Sequence, residues 1–486
     1  MENINELVRY RLEKLERLRN IGVNPYPYRY EKSHGAAEII SEFDRLASSE
    51  TEVRVAGRII SVRSHGKTIF ATIEDSSGRI QIYARRDDLG EGWLFFELID
   101  IGDIIGVEGT VFRTRMGEIT VRVRQSEMLA KSLKPLPEKW HGLQDKELRY
   151  RQRYLDLIAT PEVKSNFVRR AAVIRELRRF LDDRGFIEVE TPVLQPLYGG
   201  AAARPFTTHH NALDIDLYLR IADELYLKRL IIGGFEKVYE LAKDFRNEGM
   251  DRLHNPEFTM LEFYWAYADY TDLMPFLEEM LRQISMVVSG TQVLKFGEHT
   301  IDLSKPFRRL AYFDSIKESC GFDIIDLSEA ELAKLALKLG LDIAGLKGRG
   351  DFFEAFFDKF VEPTLIQPTF LMDFPVELSP LAKVHRHDKR LAERFELFIA
   401  GFEFGNAFSE QNDPHDQKKR MEEHAALIER GHAEAAPVDW DFINALEYGM
   451  PPTAGYGLGV DRLVMLFTDS PSIRDVILFP TMKPES

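Results

Sequence analysis

A single cysteine, Cys320, is all the thiol chemistry this sequence offers. One cysteine excludes an intrachain disulfide and any zinc site built on several thiolates. No run of apolar residues approaches the length of a membrane-crossing helix. The opening stretch MENINELVRYRLEK is charged from its start, where a secretory leader would carry an apolar core. A cytoplasmic protein with no membrane partner is the expectation. Positive charge is also outnumbered, with 64 Lys and Arg against 79 Asp and Glu. The formal net charge of −15 excludes a chain that coats nucleic acid along its whole surface, and leaves room only for a local patch.

The familiar nucleotide loops are missing too. HGKT at 65–68 resembles the tail of a phosphate loop, but Ser61 stands where that motif needs glycine. GYGLG at 455–459 echoes a dinucleotide fingerprint, with Arg462 in the place of its last glycine. There is no HExxH and no GxSxG, and HRHD at 385–388 reads as solvated histidines before it reads as a metal site. No internal repeat breaks up the chain. Any ATP chemistry must use another scaffold.

What is present suffices for at least two domains, since 486 residues with 44% hydrophobic content can bury more than one core. Residues from about Glu2 to Ile21 read as an amphipathic helix, with Ile4, Leu7, Val8, Leu15 and Leu18 near one face and five Arg and Lys residues (Arg9, Arg11, Lys14, Arg17, Arg19) interspersed. The simplest reading is a packed helix with a solvated charged face; steering of phosphate is the alternative. From Val53 to Leu129 apolar and polar residues alternate, with breaks at SHGK, DSSG, EG and MG. Short strands with glycine at the corners predict a small closed barrel of the OB type, which binds single-stranded nucleic acid by stacking bases on aromatics. Phe70, with Arg63, Gln81 and Glu118, fits such a surface, and periodicity fits Phe70 in the barrel core equally well.

KSLKPLPEKWHG is a Pro-bearing linker, which puts a boundary near residues 132–142. The organisation expected is an N-terminal helix and barrel over 1–140 and a larger mixed domain over 141–486. Within the latter, residues 311–360 read as a helical insertion.

In FRNEGMDRLHNPEFTMLEF (245–263) and the residue that follows, the period of two places Phe258, Met260, Glu262 and Tyr264 on one face. Glu240, Ala242, Asp244 and Arg246 share a face on the preceding arm. A hairpin built this way lines one concave surface with Arg246, Phe258, Glu262 and Tyr264. Downstream, in FELFIAGFEFGNAFSE, Asn406, Phe408 and Glu410 share a face, whereas Glu396 and Glu403 have opposite parity. A bulge near Gly401 would let both point inward. So many carboxylates in one pocket demand cations. Glu396 and Glu403 suit Mg²⁺, a hard ion that takes oxygen ligands; Glu262 and Glu410, with Tyr264, suit an ammonium group. A network of structural ion pairs is the competing account. In GYGLGVDRLVMLF a Gly-rich strand or turn leads into a helix with Arg462 in its first turn, where the helix dipole opposes it and an anion must hold it. That makes Arg462 a candidate phosphate or purine contact.

Taken together these strings resemble the class II aminoacyl-tRNA synthetases and, within them, the lysyl-tRNA synthetase family. FLDDRGFIEVETPVL with Pro192, FRNEG…RLHNPEFTMLEF and GLGVDRLVML are similar to that class's motifs 1, 2 and 3; GGAAARPF, RIADELYLKRL and FGNAFSEQNDP are similar to lysine-specific strings. The resemblance implies an α+β protein. An N-terminal OB-type β-barrel is joined to a class II synthetase catalytic domain whose mainly antiparallel sheet is flanked by helices. It implies a homodimer through motif 1, and ATP-dependent ligation of L-lysine to tRNA(Lys) through a lysyl-adenylate, releasing AMP and pyrophosphate, with Mg²⁺ as cofactor.

By the same resemblance, Arg246 holds the α-phosphate and the amino-acid carboxylate. Glu248 and Asn255 meet adenine or its surroundings, His254 the triphosphate tail, and Phe258 and Arg462 sandwich the ring; Arg246 and Arg462 are the catalytic pair. Gly200 and Glu224 meet the lysine α-amino group, Asn406 its carboxylate, and Phe408 its stem. Glu262, Tyr264 and Glu410 grip the ε-ammonium, and Glu396 and Glu403 bind Mg²⁺. Arg63, Phe70, Gln81 and Glu118 read the anticodon. Aspartyl and asparaginyl synthetases share the architecture, but an acid-lined pocket at Glu262 and Glu410 opposes an anionic or neutral side chain.

Overall fold

The computed structural model describes residues 6–137, 145–429 and 436–484. The first residues of the expected N-terminal helix, Ile4 among them, and the linker from 138 to 142 lie outside the described residues. The chain folds as two compact units, Met1–Gln144 and Asp145–Ser486.

In the first unit, α1 (Glu6–Asn20) buries Leu15 and Leu18. Two of its basic residues are buried as well. Arg11 donates to the Ser132 and Lys134 carbonyls at 3.0 Å each, and Lys14 pairs with Asp100 at 2.7 Å. Those two cations fasten the helix, while Arg9 and Arg17 are exposed and Arg19 pairs with Glu16 at 2.6 Å. Five strands follow: β1 (Glu52–His65), β2 (Thr68–Glu74), β3 (Arg79–Arg85), β4 (Ile104–Arg113) and β5 (Ile119–Ala130). They close a barrel in the order β1-β2-β3-β5-β4. Strict alternation sends Ile69, Ala71 and Ile73 of β2 and Ile80, Ile82 and Ala84 of β3 inward, leaving the intervening residues on the outer face.

The second unit is built on an eight-stranded sheet: β6 (Ile187–Glu188), β7 (Lys237–Phe245), β8 (Glu257–Ala266), β9 (Arg308–Ala311), β10 (Thr369–Pro375), β11 (Leu391–Ile399), β12 (Phe402–Ser409) and β13 (Thr453–Gly459). The spatial order is β9-β10-β11-β12-β13-β8-β7-β6. Only the outermost pairs, β9–β10 and β7–β6, are parallel. One face is covered by α2 (Pro161–Asp182), α3 (Tyr270–Ser289) and α4 (Val460–Thr468), which bury Leu177, Leu277, Met280 and Leu463 against Tyr239, Phe263, Phe395 and Tyr456 of the strands. The helical stretch expected at 311–360 forms three helices, Tyr312–Cys320, Glu329–Lys338 and Gly348–Phe360, with an apolar cluster around Leu332, Phe353 and Phe356.

The register bears on the site. In the β7–β8 pair Glu240 lies opposite Glu262 and Asp244 opposite Phe258, so the two arms share the face that parity assigned them. Glu396 and Glu403 are brought together at Gly401, by a turn in place of the expected bulge. Ala400 (φ 57°) and Gly401 (φ 77°) form the two-residue turn between β11 and β12, and both need the left-handed conformation that a tight hairpin of this kind requires. Such a turn sets residues of opposite parity across from one another, so Glu403, opposite Phe398, lands on the face of Glu396. A bulge does follow, where Gly405 pairs with Leu397 but Glu403 pairs with Phe398. Phe404 is the extra residue, drawn into the core at 3% exposure, and Asn406 is thereby turned to the face of Glu396 and Glu403.

Candidate active site

The other face of the sheet, on which the helix Glu224–Ile232 packs against β7 and β8 at one end, floors a cavity of about 820 Å³. Its base is one strand without side chains. Gly455, Gly457 and Gly459 alternate along β13 and point into the cavity, while Ala454, Tyr456 and Leu458 are buried in the core behind. A Cβ at Gly455 would stand 2.1 Å from Glu410 Oε1 and 2.5 Å from Tyr264 Cε1, so this glycine makes the space those two groups use. The stretch that echoed a dinucleotide fingerprint is therefore a strand whose glycines face a pocket rather than a phosphate turn.

At one end of the cavity the acids gather. Glu224, Glu262, Tyr264 and Glu410 are all buried, and Tyr264 Oη donates to Glu262 Oε2 at 3.2 Å. Burial, then the nearby carboxylates Asp244 and Glu224, hold the Glu262 pKa well above the ordinary value. Gly200 (φ 88°) sits against Glu224, where a Cβ would meet the Glu224 Cβ at 3.3 Å.

Two cations that sequence reasoning missed lie underneath. Lys228, one helical turn after Glu224 on the helix Glu224–Ile232, is fully buried and pairs with both Glu224 and Glu410. Burial opposes its charge, yet the two carboxylates carry its pKa above the usual lysine value. Glu410 is pushed up to about 8 by burial, an effect that Lys228 offsets in part. Arg220 reaches Glu240 at 2.7 Å, Asp223 at 3.1 Å and Asp244 at 3.4 Å.

Oxygens of Asp223, Asp244 and Glu262 lie within 4.8 Å of one another. Arg220 beside them makes this an ion-pair cluster of the protein's own rather than a bare cation site. Burial, followed by repulsion from Asp244 and Glu262, pushes Asp223 up to about 11; burial pushes Asp244 up to about 6, with Arg220 and Arg246 opposing. Lys228 had a sequence signal, the i,i+4 spacing after Glu224.

The other end is cationic and aromatic. The Arg246 guanidinium lies 5.1 Å from the centroid of the Phe258 ring. Arg462, in the first turn of α4, donates to the Glu403 carbonyl at 2.6 Å and has the Glu403 carboxylate at 3.6 Å, the anion that its place on the helix calls for. Arg462 Nη2 also lies 3.1 Å from His254 Nε2, and the other ring nitrogen lies 2.8 Å from Asp251. Since a guanidinium only donates, Nε2 is the acceptor and the Nδ1 hydrogen faces Asp251. Asp461 pins the helix start to β8 by accepting the Thr259 amide at 2.7 Å and pairing with Arg170 at 2.6 Å.

Glu248 is exposed near Arg204, whose backbone amide donates to it at 3.4 Å. Asn255 lines the cavity, but both ends of its carboxamide are used within the chain: Nδ2 donates to the Glu257 carbonyl and Oδ1 accepts the Thr481 amide. It shapes the wall more than it offers a free group.

Between the two ends, Glu396, Glu403, Asn406 and Phe408 all line the cavity. Arg394, also missed although it stands two residues before Glu396 on the same strand face, pairs with Glu396 and bonds Asn406. Burial and the neighbouring Glu403 and Glu354 carboxylates push Glu396 up to about 8, against the pull of Arg394.

In the first unit, Phe70 is half-buried on the outer face of the barrel and outside its core. Arg63 lies opposite it on β1 and Tyr83 opposite it on β3, with ring centroids 4.9 Å apart. Tyr83 in turn meets Phe112 edge-on at 5.8 Å. Gln81 donates to Thr120 at 3.0 Å, and exposed Glu118 stands two residues before Thr120. The face thus holds the expected residues and adds Tyr83, which the alternation in QIYA would have put beside Gln81.

Residues 145–483 match the family model for tRNA synthetases class II (D, K and N), and residues 53–129 match that for the OB-fold nucleic acid binding domain. The chain is 54% identical over 485 residues to the lysine–tRNA ligase of Carboxydothermus hydrogenoformans, covering 99% of each chain. It is 55% identical over 487 residues to that of Moorella thermoacetica, covering 100% of this chain and 99% of the relative. A third relative, the lysine–tRNA ligase of Methanoculleus marisnigri, is 54% identical over 478 residues, with 97% of this chain and 94% of the relative covered.

Proposed function

The chain belongs to the class II tRNA synthetases (D, K and N) and among them to the lysine–tRNA ligases, and from that premise we propose that it joins L-lysine to tRNA(Lys) in an ATP-dependent, two-step reaction. The observation that carries this reading is the buried group Glu262, Tyr264 and Glu410 at one end of a cavity that presents Arg246 and Arg462 at the other. An apolar, acid-lined slot selects a long cationic side chain, and paired arginines select phosphate.

In the first step a lysine carboxylate oxygen attacks the α-phosphorus of ATP; the new O–P bond forms as pyrophosphate leaves. In the second, the terminal ribose hydroxyl of tRNA attacks the lysyl carbonyl, its proton is lost and AMP leaves. No protein nucleophile is needed. The chain's part is to position the reactants and neutralise charge. Arg246 holds the α-phosphate and the amino-acid carboxylate. Arg462 and Phe258 take the adenine ring, His254 the triphosphate tail, and Glu248 and Asn255 shape the surroundings. Gly200 and Glu224 receive the α-amino group, Asn406 the carboxylate, and Phe408 the aliphatic stem. Glu262, Tyr264 and Glu410 receive the ε-ammonium. Lys228 already balances Glu410, whereas the groups acting on Glu262 are Tyr264, Asp244 and Glu224, none of them a cation. The incoming ammonium therefore finds at Glu262 a carboxyl not yet balanced by a cation, and its arrival favours the ionised form that burial opposes.

Glu396 and Glu403 fit a divalent ion of the Mg²⁺ type: both are carboxylates, they repel one another, and Arg394 bonds only one oxygen of Glu396. Bound there, Mg²⁺ supplies positive charge to the phosphate oxygens.

We assign residues 1–140 to anticodon binding, with Phe70 and Tyr83 as the stacking platform and Arg63, Gln81 and Glu118 as its polar frame, and residues 141–486 to catalysis, with 311–360 as a helical insertion. A homodimer would cover the apolar residues exposed around motif 1, among them Ile187, Val193 and Leu194, and Leu213 and Ile215 beyond. No helix among the described residues is long and apolar enough to cross a membrane, and the proposed location is the cytoplasm.

The test is ATP–pyrophosphate exchange with each amino acid in turn, without tRNA. Exchange with lysine alone supports the reading. Exchange with aspartate or asparagine overturns the pocket assignment, and exchange with no amino acid overturns catalysis.

A further inference from the structure

Arg394 stands opposite Phe408 in the β11–β12 pair, next to the pair Glu396 and Asn406. Its side chain is only 14% exposed, and its guanidinium lies 4.4 Å from the centroid of Phe374 and 5.5 Å from that of Phe408. Each of its nitrogens is engaged. Nε donates to Asn406 Oδ1 at 3.1 Å, Nη1 to the Leu378 carbonyl at 2.6 Å and to Ser379 Oγ at 3.3 Å, and Nη2 to Glu396 Oε1.

This arrangement decides something that carboxamides leave open. The oxygen and nitrogen ends of an Asn side chain are nearly the same shape, and only its partners say which way it points. A guanidinium has no acceptor, so the Asn406 atom it holds must be the oxygen. The NH₂ group is then the end left to the cavity that Asn406 lines. A donor is what a carboxylate ligand requires; an amide turned the other way would set its oxygen against that carboxylate. The same guanidinium bonds one oxygen of Glu396, so both residues are oriented from a single point anchored on Leu378 and Ser379.

We propose that Arg394 is a positioning residue for the reaction, one that fixes the Asn406 amide to donate to the lysine carboxylate and ties this subsite to the Glu396 subsite beside it. The inference rests on the reading of Asn406 given above. It differs from a plain structural strut, which would hold the strand without regard to the carboxylate of the ligand.

The experiment is calorimetric binding of L-lysine and of L-lysinamide, which lacks the carboxylate, to wild type, Arg394→Met, Arg394→Lys, Asn406→Ala and the double variant Arg394→Met/Asn406→Ala. The expected result is that Arg394→Met weakens lysine binding about tenfold or more and lysinamide binding less than about twofold, the size of a lost hydrogen bond to a charged group. Asn406→Ala does the same, and the double variant shows no further loss. Arg394→Lys keeps a buried cation without the planar fork, and it too loses the preference for lysine over lysinamide. Should Arg394→Met fail to fold, as a thermal melt would show, the Lys variant carries the test. Equal weakening of both ligands by Arg394 variants, or additive losses in the double variant, overturns the role of Arg394 and leaves that of Asn406 standing. Unchanged lysine affinity in Asn406→Ala overturns the Asn406 reading and the inference with it.

Discussion

The ammonium of Lys228 is fully buried and pairs with the carboxylate of Glu410, 182 positions further along the chain, as well as with Glu224 on its own helix. One acid of the proposed lysine pocket is thus balanced from within before any substrate arrives. Removing one partner of a buried pair costs far more than the pair contributes, because the remaining charge is stranded.

Lys228→Met should therefore destabilise the second unit by about 3–5 kcal/mol, measured by urea denaturation. Adding Glu410→Gln to it should recover part of the loss. A double variant less stable than the single would contradict the pairing.

Gly455→Ala places a methyl group against Glu410 and Tyr264, at distances no pair of atoms tolerates. The accommodation should cost about 1–3 kcal/mol, read as a rise of roughly 5- to 100-fold in KM for lysine with KM for ATP little changed. Gly457→Ala, whose nearest neighbour is Met260 Cε at 3.3 Å, should be milder. Pyrophosphate exchange at varied lysine and ATP separates the two.

Glu262→Gln removes the carboxyl that the incoming ammonium would ionise while keeping its shape. Lysine activation should fall by up to about 10⁴-fold in kcat/KM, with ATP binding much less affected. Equal loss on both substrates would undo the assignment of Glu262.

Asp223 sets a pH dependence. Its folded-state pKa lies at about 11, against an ordinary 3.8. Folding takes up a proton between those values, so the stability linked to this group is complete below the ordinary value and declines as pH rises toward the folded one. Asp223→Asn is neutral throughout and removes that decline. Relative to wild type it should gain stability steadily from about pH 5 to about pH 9, seen in denaturation midpoints. A difference that does not change with pH would mean that Asp223 is ionised in the fold.

Phe70→Ala tests the barrel. Loss of one stacked base costs about 1–3 kcal/mol, so KM for tRNA in aminoacylation should rise about 5- to 100-fold. Pyrophosphate exchange without tRNA should stay unchanged, and Tyr83→Ala should behave in the same way.

Local periodicity determined much of this protein. A period of two fixes which residues of a strand share a face, and so the barrel and the faces holding Phe258, Glu262 and Tyr264, and Asn406 and Phe408, could be read from residue order alone. Other features followed from contacts between distant segments. The two-residue turn at Ala400 and Gly401 brought Glu396 and Glu403 to one face, and the bulge at Phe404, drawn inward by the core, added Asn406 to it. Periodicity places Lys228 beside Glu224 but says nothing of Glu410, and it sets Arg394 on the cavity face without naming Asn406 as its partner. Parity names the side on which a charge stands. Which opposite charge it meets there is decided only when strands far apart in sequence lie edge to edge, for burial makes every unpaired charge costly and leaves each one a specific partner.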